Sequence, residues 1–380
     1  MTTTAIEQYL AVGLVPDNER AERFLDRLLA GPDPTCGDPA TLLTTVLAES
    51  LSGSPDVVIP LSGGLDSRGL LGATLRLLPK TAITCLTMGR LDSNEWKSAS
   101  AACQRNGIRQ ERLDPDRFVW DLDEMTALAR EHAKRDSGLP LIDAYFVHSQ
   151  LARRIGPGVP VLSGYLGGEV GGHYLRPQTA AAGIEADIRR FIMANMGAIN
   201  GFGLEGLRET FVRFAAANEH RLRQFRGLTR YELLNFGFRQ SHMVRASVSD
   251  PYPNCIRPYE DPRWVRFWLQ RPFADRLNQR FYREFLRSAF PTVFADGDER
   301  PHRVPLGRRP VLRLATNWGD PRVNESMVRT LRRAAESFDR RRLSPIRFLP
   351  NAEHLATAPS DAGYVRARSV LSAEIHLRAG

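Results

Sequence analysis

Between about residues 55 and 163, short apolar runs alternate with stretches whose apolar positions recur every three or four residues. That is the pattern of strands and amphipathic helices built around a parallel sheet. Val57 to Leu61 predicts a compact buried strand, and Ser67 to Leu78 a helix with Leu70, Leu71, Leu75 and Leu78 on one face, stopped by Pro79. Thr81 to Met88 predicts a second strand, closed by Gly89. Ser93 is placed to cap a helix running to Asn106, where Gly107 ends it, and Ile108 to Leu113 predicts a third strand. Asp121, with Glu124 three residues on, opens another helix that ends before Gly138. Residues 141 to 154 read as helix, and Val159 to Leu162 as a fourth strand that enters a glycine-rich turn.

After about residue 180 the alternation gives way to arginine-rich helical periodicity, as over Glu205 to Arg226 and Arg276 to Ala289. Trp264, Phe267 and Trp268 lie in one such stretch and are expected to pack the core. Residues 296 to 325 carry Gly, Pro, Asp and Arg with little period and predict a loop; beyond them a helix breaks near Pro345 and Pro350, and a short one follows near residue 370. The expected organisation is a mostly helical N-terminal connector (1–50), an α/β core (51–180), a helical region completing it (181–325) and a helical tail (326–380).

Composition narrows the class. At 380 residues, 42% hydrophobic and 25% charged, the chain has the make-up of a globular protein. No apolar run approaches the roughly 20 residues that span a bilayer, and Met1 to Glu7 lacks a basic and then apolar stretch. A cytoplasmic protein without membrane contact is expected. The four cysteines form no C-x-x-C pair and are expected to be reduced and structural. Of the 52 basic residues behind the net charge of +9, only Lys80, Lys97 and Lys134 are lysines. Arginine suits phosphate and carboxylate, so the charge admits a polyanion, a small anionic ligand, or nothing specific. Arg340 to Arg342 reads as a solvated helix face, and no nucleic-acid-binding signature accompanies it. His148 and His173 are expected to be satisfied by polar contacts, and no spacing suits zinc.

The sharpest chemical feature is Leu61-Ser62-Gly63-Gly64-Leu65-Asp66-Ser67, between a buried strand and a helix start. Two glycines let successive N–H groups aim at one point, and the helix N-terminus adds partial positive charge, which together make an anion cradle. Ser62 and Ser67 can donate to the same anion, and Asp66 is placed to hold a cation that bridges phosphates. A tight turn with a Ser/Asp cap is the plainer alternative. The pattern is not a Walker A loop.

This segment resembles the S-G-G-x-D-S loop of the ATP pyrophosphatase superfamily, whose members cleave ATP between the α and β phosphates. Further stretches resemble the asparagine synthetase branch: Thr84 to Gly89 with Asp92 and Glu95; Ser163 to Glu169 with Gly171 to Tyr174; Ile256 to Asp261; and Phe281 to Pro291. Ile6 to Pro16 is similar to the connector that follows the glutaminase domain in full-length members. The resemblance covers roughly residues 5 to 310. It implies a PP-loop nucleotide-binding fold and an ATP- and Mg²⁺-dependent ligase that adenylates a carboxylate and passes it to ammonia or an amine. It assigns Ser62, Gly63, Gly64 and Ser67 to the pyrophosphate, Asp66 to the metal, and Met88 and Gly164 to the adenosine, with Leu61 and Ser163 also binding the nucleotide. Glu169 or Tyr165 would face the acyl group.

The chain also departs from that family. Thr2 follows the initiator Met, and no glutaminase precedes Ser62, so the implied amine is ammonia, a substrate amine, or ammonia from a partner subunit. The family's metal-binding Asp falls on Gly168 and its catalytic Glu on Tyr165. No lysine follows Lys134, leaving Arg300 or Arg303 to meet charge on the α-phosphate. A nucleotide-binding pseudoenzyme or partner subunit is therefore a second expectation, and a tRNA-modifying adenylating enzyme a third.

Overall fold

The computed structural model describes residues 3–33, 37–89, 91, 94–114, 121–136, 138–177, 183–195 and 204–295. Near the C-terminus it also describes 372, 373, 375–377 and 379. Arg300, Arg303, Arg340 to Arg342, Cys36 and the helix expected near Pro345 and Pro350 lie outside the described residues.

Three helices, α1 (Thr3–Val12), α2 (Asn18–Leu28) and α3 (Pro39–Ser50), precede the sheet. Asp17 and Asp38 cap the second and third by accepting from backbone N–H groups. The α/β run follows as β1 (Val57–Pro60), α4 (Leu65–Thr74), β2 (Ile83–Met88), α5 (Asn94–Asn106), β3 (Arg109–Leu113), α6 (Leu122–Arg135), α7 (Ile142–Ile155) and β4 (Val161–Leu162). The helix expected from Ser67 starts at Leu65, so Asp66 and Ser67 lie inside its first turn, and it ends at Thr74 rather than Leu78.

The helical half begins with α8 (Gly167–Val170), α9 (Ile184–Asn195) and α10 (Leu204–Ala217). It continues through α11 (Glu219–Gln224) and α12 (Arg230–Leu234) into a ten-residue π-helical stretch, Asn235–Val244, and then α13 (Arg245–Val248). The single helix expected over Glu205 to Arg226 is interrupted at Asn218. A two-residue strand, β5 (Cys255–Ile256), follows, then α14 (Pro262–Leu269), α15 (Phe273–Arg276) and α16 (Arg280–Ala289). The helix expected over Arg276 to Ala289 breaks at Asn278 and Gln279, which take left-handed φ values of 55° and 59°.

The five strands form one sheet, every pairing parallel, in the order β3-β2-β1-β4-β5. The α/β expectation therefore holds at this level, and the region read as mainly helical also supplies β5. Val57, Ile59, Ile83 and Cys85 are buried because helices cover both sheet faces, as a parallel sheet requires. Trp264, Phe267 and Trp268 pack in the core as expected. The chain's end returns to α7 and α1: Ser372 Oγ accepts from Ile142 N–H at 3.3 Å, and the His376 ring lies edge-on to Tyr9. Among the described residues, no helix is long and apolar enough to cross a membrane.

Sheet order locates the natural cleft. From β1 the chain moves through β2 to β3 on one side, and β4 then pairs on the other side of β1. The segments leaving the carboxyl ends of β1 and β4 lie side by side at this switch point, where ligands of open α/β sheets bind. Those two segments are the glycine-rich turns.

Candidate active site

The β1 turn is held by its own serines. Ser67 Oγ accepts from Ser62 N–H at 3.0 Å and lies 3.0 Å from Ser62 Oγ, which in turn accepts from Gly64 N–H at 3.0 Å. Leu61 extends the strand by donating to the Leu86 carbonyl at 2.8 Å. Both serine hydroxyls thus shape the turn in this state, besides lying beside the cradle.

Glu95, in the first turn of α5, accepts from Gly63 N–H through Oε2. An oxyanion already sits where the sequence places an anion-binding N–H. A side chain at Gly63 would crowd it, since a Cβ there would lie 3.0 Å from Glu95 Oε2 and 3.1 Å from Ser98 Cβ. Just inside α4, Arg68 is buried, donates to the Gly64 carbonyl at 3.2 Å, and stacks 4.6 Å from the Phe294 ring centroid.

The β4 turn packs directly on this helix start. A Cβ at Gly164 would stand 3.1 Å from Ser67 N and 3.4 Å from Asp66 Cβ, so only glycine lets the two turns meet this closely. Ser163 is buried, 2.8 Å from Ser249 Oγ, and its own Oγ accepts from Tyr165 N–H. Leu166 then adopts φ 75°, an uncommon left-handed conformation for leucine, at the entry to α8. Met88 ends β2, half-buried, with Gly89 bonded back to the Leu113 carbonyl.

Asp66 faces the glycines of α8 and two tyrosines. Tyr282 donates to Asp66 Oδ1 at 2.8 Å and Tyr259 to the Asp66 carbonyl at 2.9 Å. Burial, reinforced by the Asp66 charge, pushes both phenols well above their ordinary pKa, so they stay neutral donors. A Cβ at Gly167 would lie 2.7 Å from the Tyr259 ring, and one at Gly171 would lie 2.8 Å from Tyr282 Cγ. These glycines form a floor on which the tyrosines rest. Gln279 lies against the same floor and donates to the Gly168 carbonyl at 3.2 Å.

Two resemblance-based roles meet a different environment. Tyr165 is buried and donates to the Gln240 carbonyl at 2.9 Å, inside the π-helical stretch. Burial raises its pKa well above 10, the opposite of what a proton relay at neutral pH needs. Glu169 is half-buried in α8. The expected Mg²⁺ set also meets a poor fit. Gly168 brings no carboxylate to Asp66, and one Asp66 oxygen accepts a hydrogen bond from the Tyr282 hydroxyl. Among the described residues no group of three or more His, Cys, Asp and Glu side chains could hold a metal. His148, as expected, is satisfied, 2.7 Å from the Tyr252 hydroxyl.

Sequence reasoning missed Tyr282, Gln279 and Arg68 as neighbours of the loop. A groove of about 860 Å³ runs along α16 between Leu277 and Ser288, and its lining includes no loop residue. No protein-family model matches this chain, and no curated protein matches it.

Proposed function

We propose that the chain binds ATP across the two glycine-rich turns and acts as an asparagine synthetase-like, amide-forming ligase. In this reading pyrophosphate takes the Ser62–Gly64 N–H groups from their present acceptors, Ser67 Oγ, Glu95 and Ser62 Oγ, and the start of α4 faces it. Met88, Ser163 and Gly164 border the adenosine. A carboxylate substrate attacks the α-phosphorus, giving an acyl-adenylate and pyrophosphate, and an amine or ammonia then attacks the acyl carbon and releases AMP. The ammonia could come from a separate subunit. The observation that carries the reading is the carboxylate of Glu95 on Gly63 N–H, an oxyanion lodged in the turn at the sheet's switch point.

This chain's residues bind and orient; what they offer for proton transfer is limited. Tyr165 is committed to the Gln240 carbonyl, so Glu169 is the remaining candidate acceptor on the acyl side. Mg²⁺, where such enzymes use it, neutralises phosphate charge and assists the departing pyrophosphate. The Asp66 environment does not fit a two-carboxylate site for it.

A second reading, a nucleotide-binding partner subunit without turnover, is favoured by Gly168 beside Asp66 and by the buried Tyr165 hydroxyl. An ATP–pyrophosphate exchange assay over a panel of amino acids and other carboxylates separates the two, with Asp66→Ala as control. Exchange with any acid supports the ligase. ATP binding by equilibrium dialysis without exchange supports the partner subunit, and no ATP binding ends both.

A further inference from the structure

We infer that the β1 turn holds its oxyanion without a resident divalent cation, because Tyr282 hydrogen-bonds one Asp66 oxygen and Gly168 and Gln279 stand where a second carboxylate would be needed. The inference rests on the proposed anion-binding reading of the turn. It adds how the site manages charge at Asp66.

A divalent cation that bridges phosphates to a protein needs oxygen ligands with free lone pairs and little tolerance for misplacement. At Asp66 one oxygen already accepts a hydrogen bond from the hydroxyl of a fully buried tyrosine at 2.8 Å. The neighbouring backbone is Gly168, whose missing side chain would point its Cβ to within 3.1 Å of Asp66 Oδ2. That is where a second carboxylate would lie, and glycine supplies none. The space is instead covered by Gln279, whose amide nitrogen would stand 3.0 Å from the same Cβ.

The arrangement is built and held under backbone strain. Asn278 and Gln279 are both non-glycine residues at positive φ, and they aim the Gln279 amide at the Gly168 carbonyl. Such outliers persist where surrounding structure over-determines them. Gly167 and Gly171 admit the two tyrosine rings at distances that any Cβ would block. The Asp66 carboxylate therefore has a neutral donor, Tyr282, where a cation would bind, and the charge of a bound oxyanion falls to the N–H groups of the turn, once their present acceptors give way, and to the helix start.

The test measures binding of inorganic pyrophosphate by calorimetry, with Mg²⁺ or with EDTA, together with Mn²⁺ binding by electron paramagnetic resonance. The wild-type chain is expected to bind pyrophosphate with less than about a threefold difference between the two conditions, and to take up no Mn²⁺ at Asp66. Gly168→Asp is expected to gain Mn²⁺ binding and at least about a tenfold preference for Mg²⁺. Its new Cβ meets only the tips of flexible side chains. Tyr282→Phe, which removes the hydroxyl that bonds Asp66 Oδ1 with little change in volume, is a second variant and is expected to shift the same way. Loss of wild-type binding in EDTA, or Mn²⁺ uptake that Asp66→Ala removes, would overturn the inference. If pyrophosphate binds in neither condition, the anion-binding reading fails and the inference with it.

Discussion

Gly172 lies under the backbone of Arg276: a Cβ at position 172 would stand 2.1 Å from the Arg276 carbonyl oxygen, and Gly172 itself takes φ +100°. Both facts exclude any other residue, since the conformation is rare for L side chains and the neighbour is backbone, which cannot rotate away. Gly172→Ala should destabilise the chain by roughly 3 to 5 kcal/mol, in the range of severe core disruption. Gly158→Ala is the matched control, because a Cβ there meets nothing within 4 Å. Urea unfolding of the two variants checks the contrast, and equal midpoints would contradict it.

The same arginine ties the second glycine-rich turn to the helical half. Arg276 and Glu232 form an ion pair at 0% and 1% side-chain exposure, and Arg276 also donates to the carbonyls of Val170 and Gly227. Glu232 is in turn part of the capping box that starts α12 at Thr229. Arg276→Met leaves a buried carboxylate without its partner and should cost about 3 to 5 kcal/mol. Adding Glu232→Gln removes the stranded charge and should recover a substantial part of that loss. A double-mutant cycle by denaturant unfolding measures the coupling, and strictly additive losses would show that the pair does not act as a unit.

How much of this was legible in the sequence depends on where the determining contacts lie. β1 and β2 are readable because short β-branched and apolar runs are bounded by Pro, Gly and helix caps, whereas polar β3 (Arg109–Leu113) shows only through Ile108 and Leu113 at its ends and the Gly107 stop before it. Cys255–Ile256 has only two residues between proline-rich turns, too few for any alternation, so β5 shows only through its partner β4. Asn278 and Gln279 carry no Gly or Pro signal; their left-handed turn is imposed by packing on Gly168. The Ser62–Ser67 loop is local and was readable. Tyr282 reaches Asp66 across 216 residues, and no local pattern announces that contact. The glycines of the second turn read as a ligand loop, whereas Gly167 and Gly171 act here as a floor for aromatic rings.

Buried histidines give the fold an acid limit, His148 among them, lowered to about 4. Burial lowers His242 and His376 to about 4, and each is nearly solvent-excluded, at 4% and 6% exposure. Below their unfolded pKa near 6.5 the unfolded chain binds protons that the folded chain refuses. Stability is therefore full above that value and falls as pH drops from about 6.5 towards 4. At pH 5 each histidine should remove on the order of 2 kcal/mol. His376 bonds the Pro140 carbonyl at 3.0 Å, so the C-terminal segment should undock in the same range. Urea midpoints at pH 7 and pH 5 check this, with His376→Gln expected to flatten the slope. A flat profile in the wild-type chain would contradict it.

Glu95 bears on how readily the loop takes a ligand. Its carboxylate uses the Gly63 N–H that a bound phosphate would need, so a ligand must displace it or bind beside a like charge. Like charges about 5 Å apart repel by roughly 1 to 3 kcal/mol at effective dielectrics between those of water and protein. Glu95→Gln keeps an acceptor for the N–H and removes the repulsion. Pyrophosphate affinity should therefore rise by about tenfold, with a weaker dependence on salt, since one screened repulsion is gone. Glu95→Ala should raise it too if the loop keeps its shape, which the Ser62–Ser67 and Ser62–Gly64 bonds favour, as neither involves Glu95. Calorimetric titration of both variants decides the matter. Tighter binding in both marks Glu95 as an internal competitor for the cradle, whereas weaker binding in both would mean that it scaffolds the loop instead.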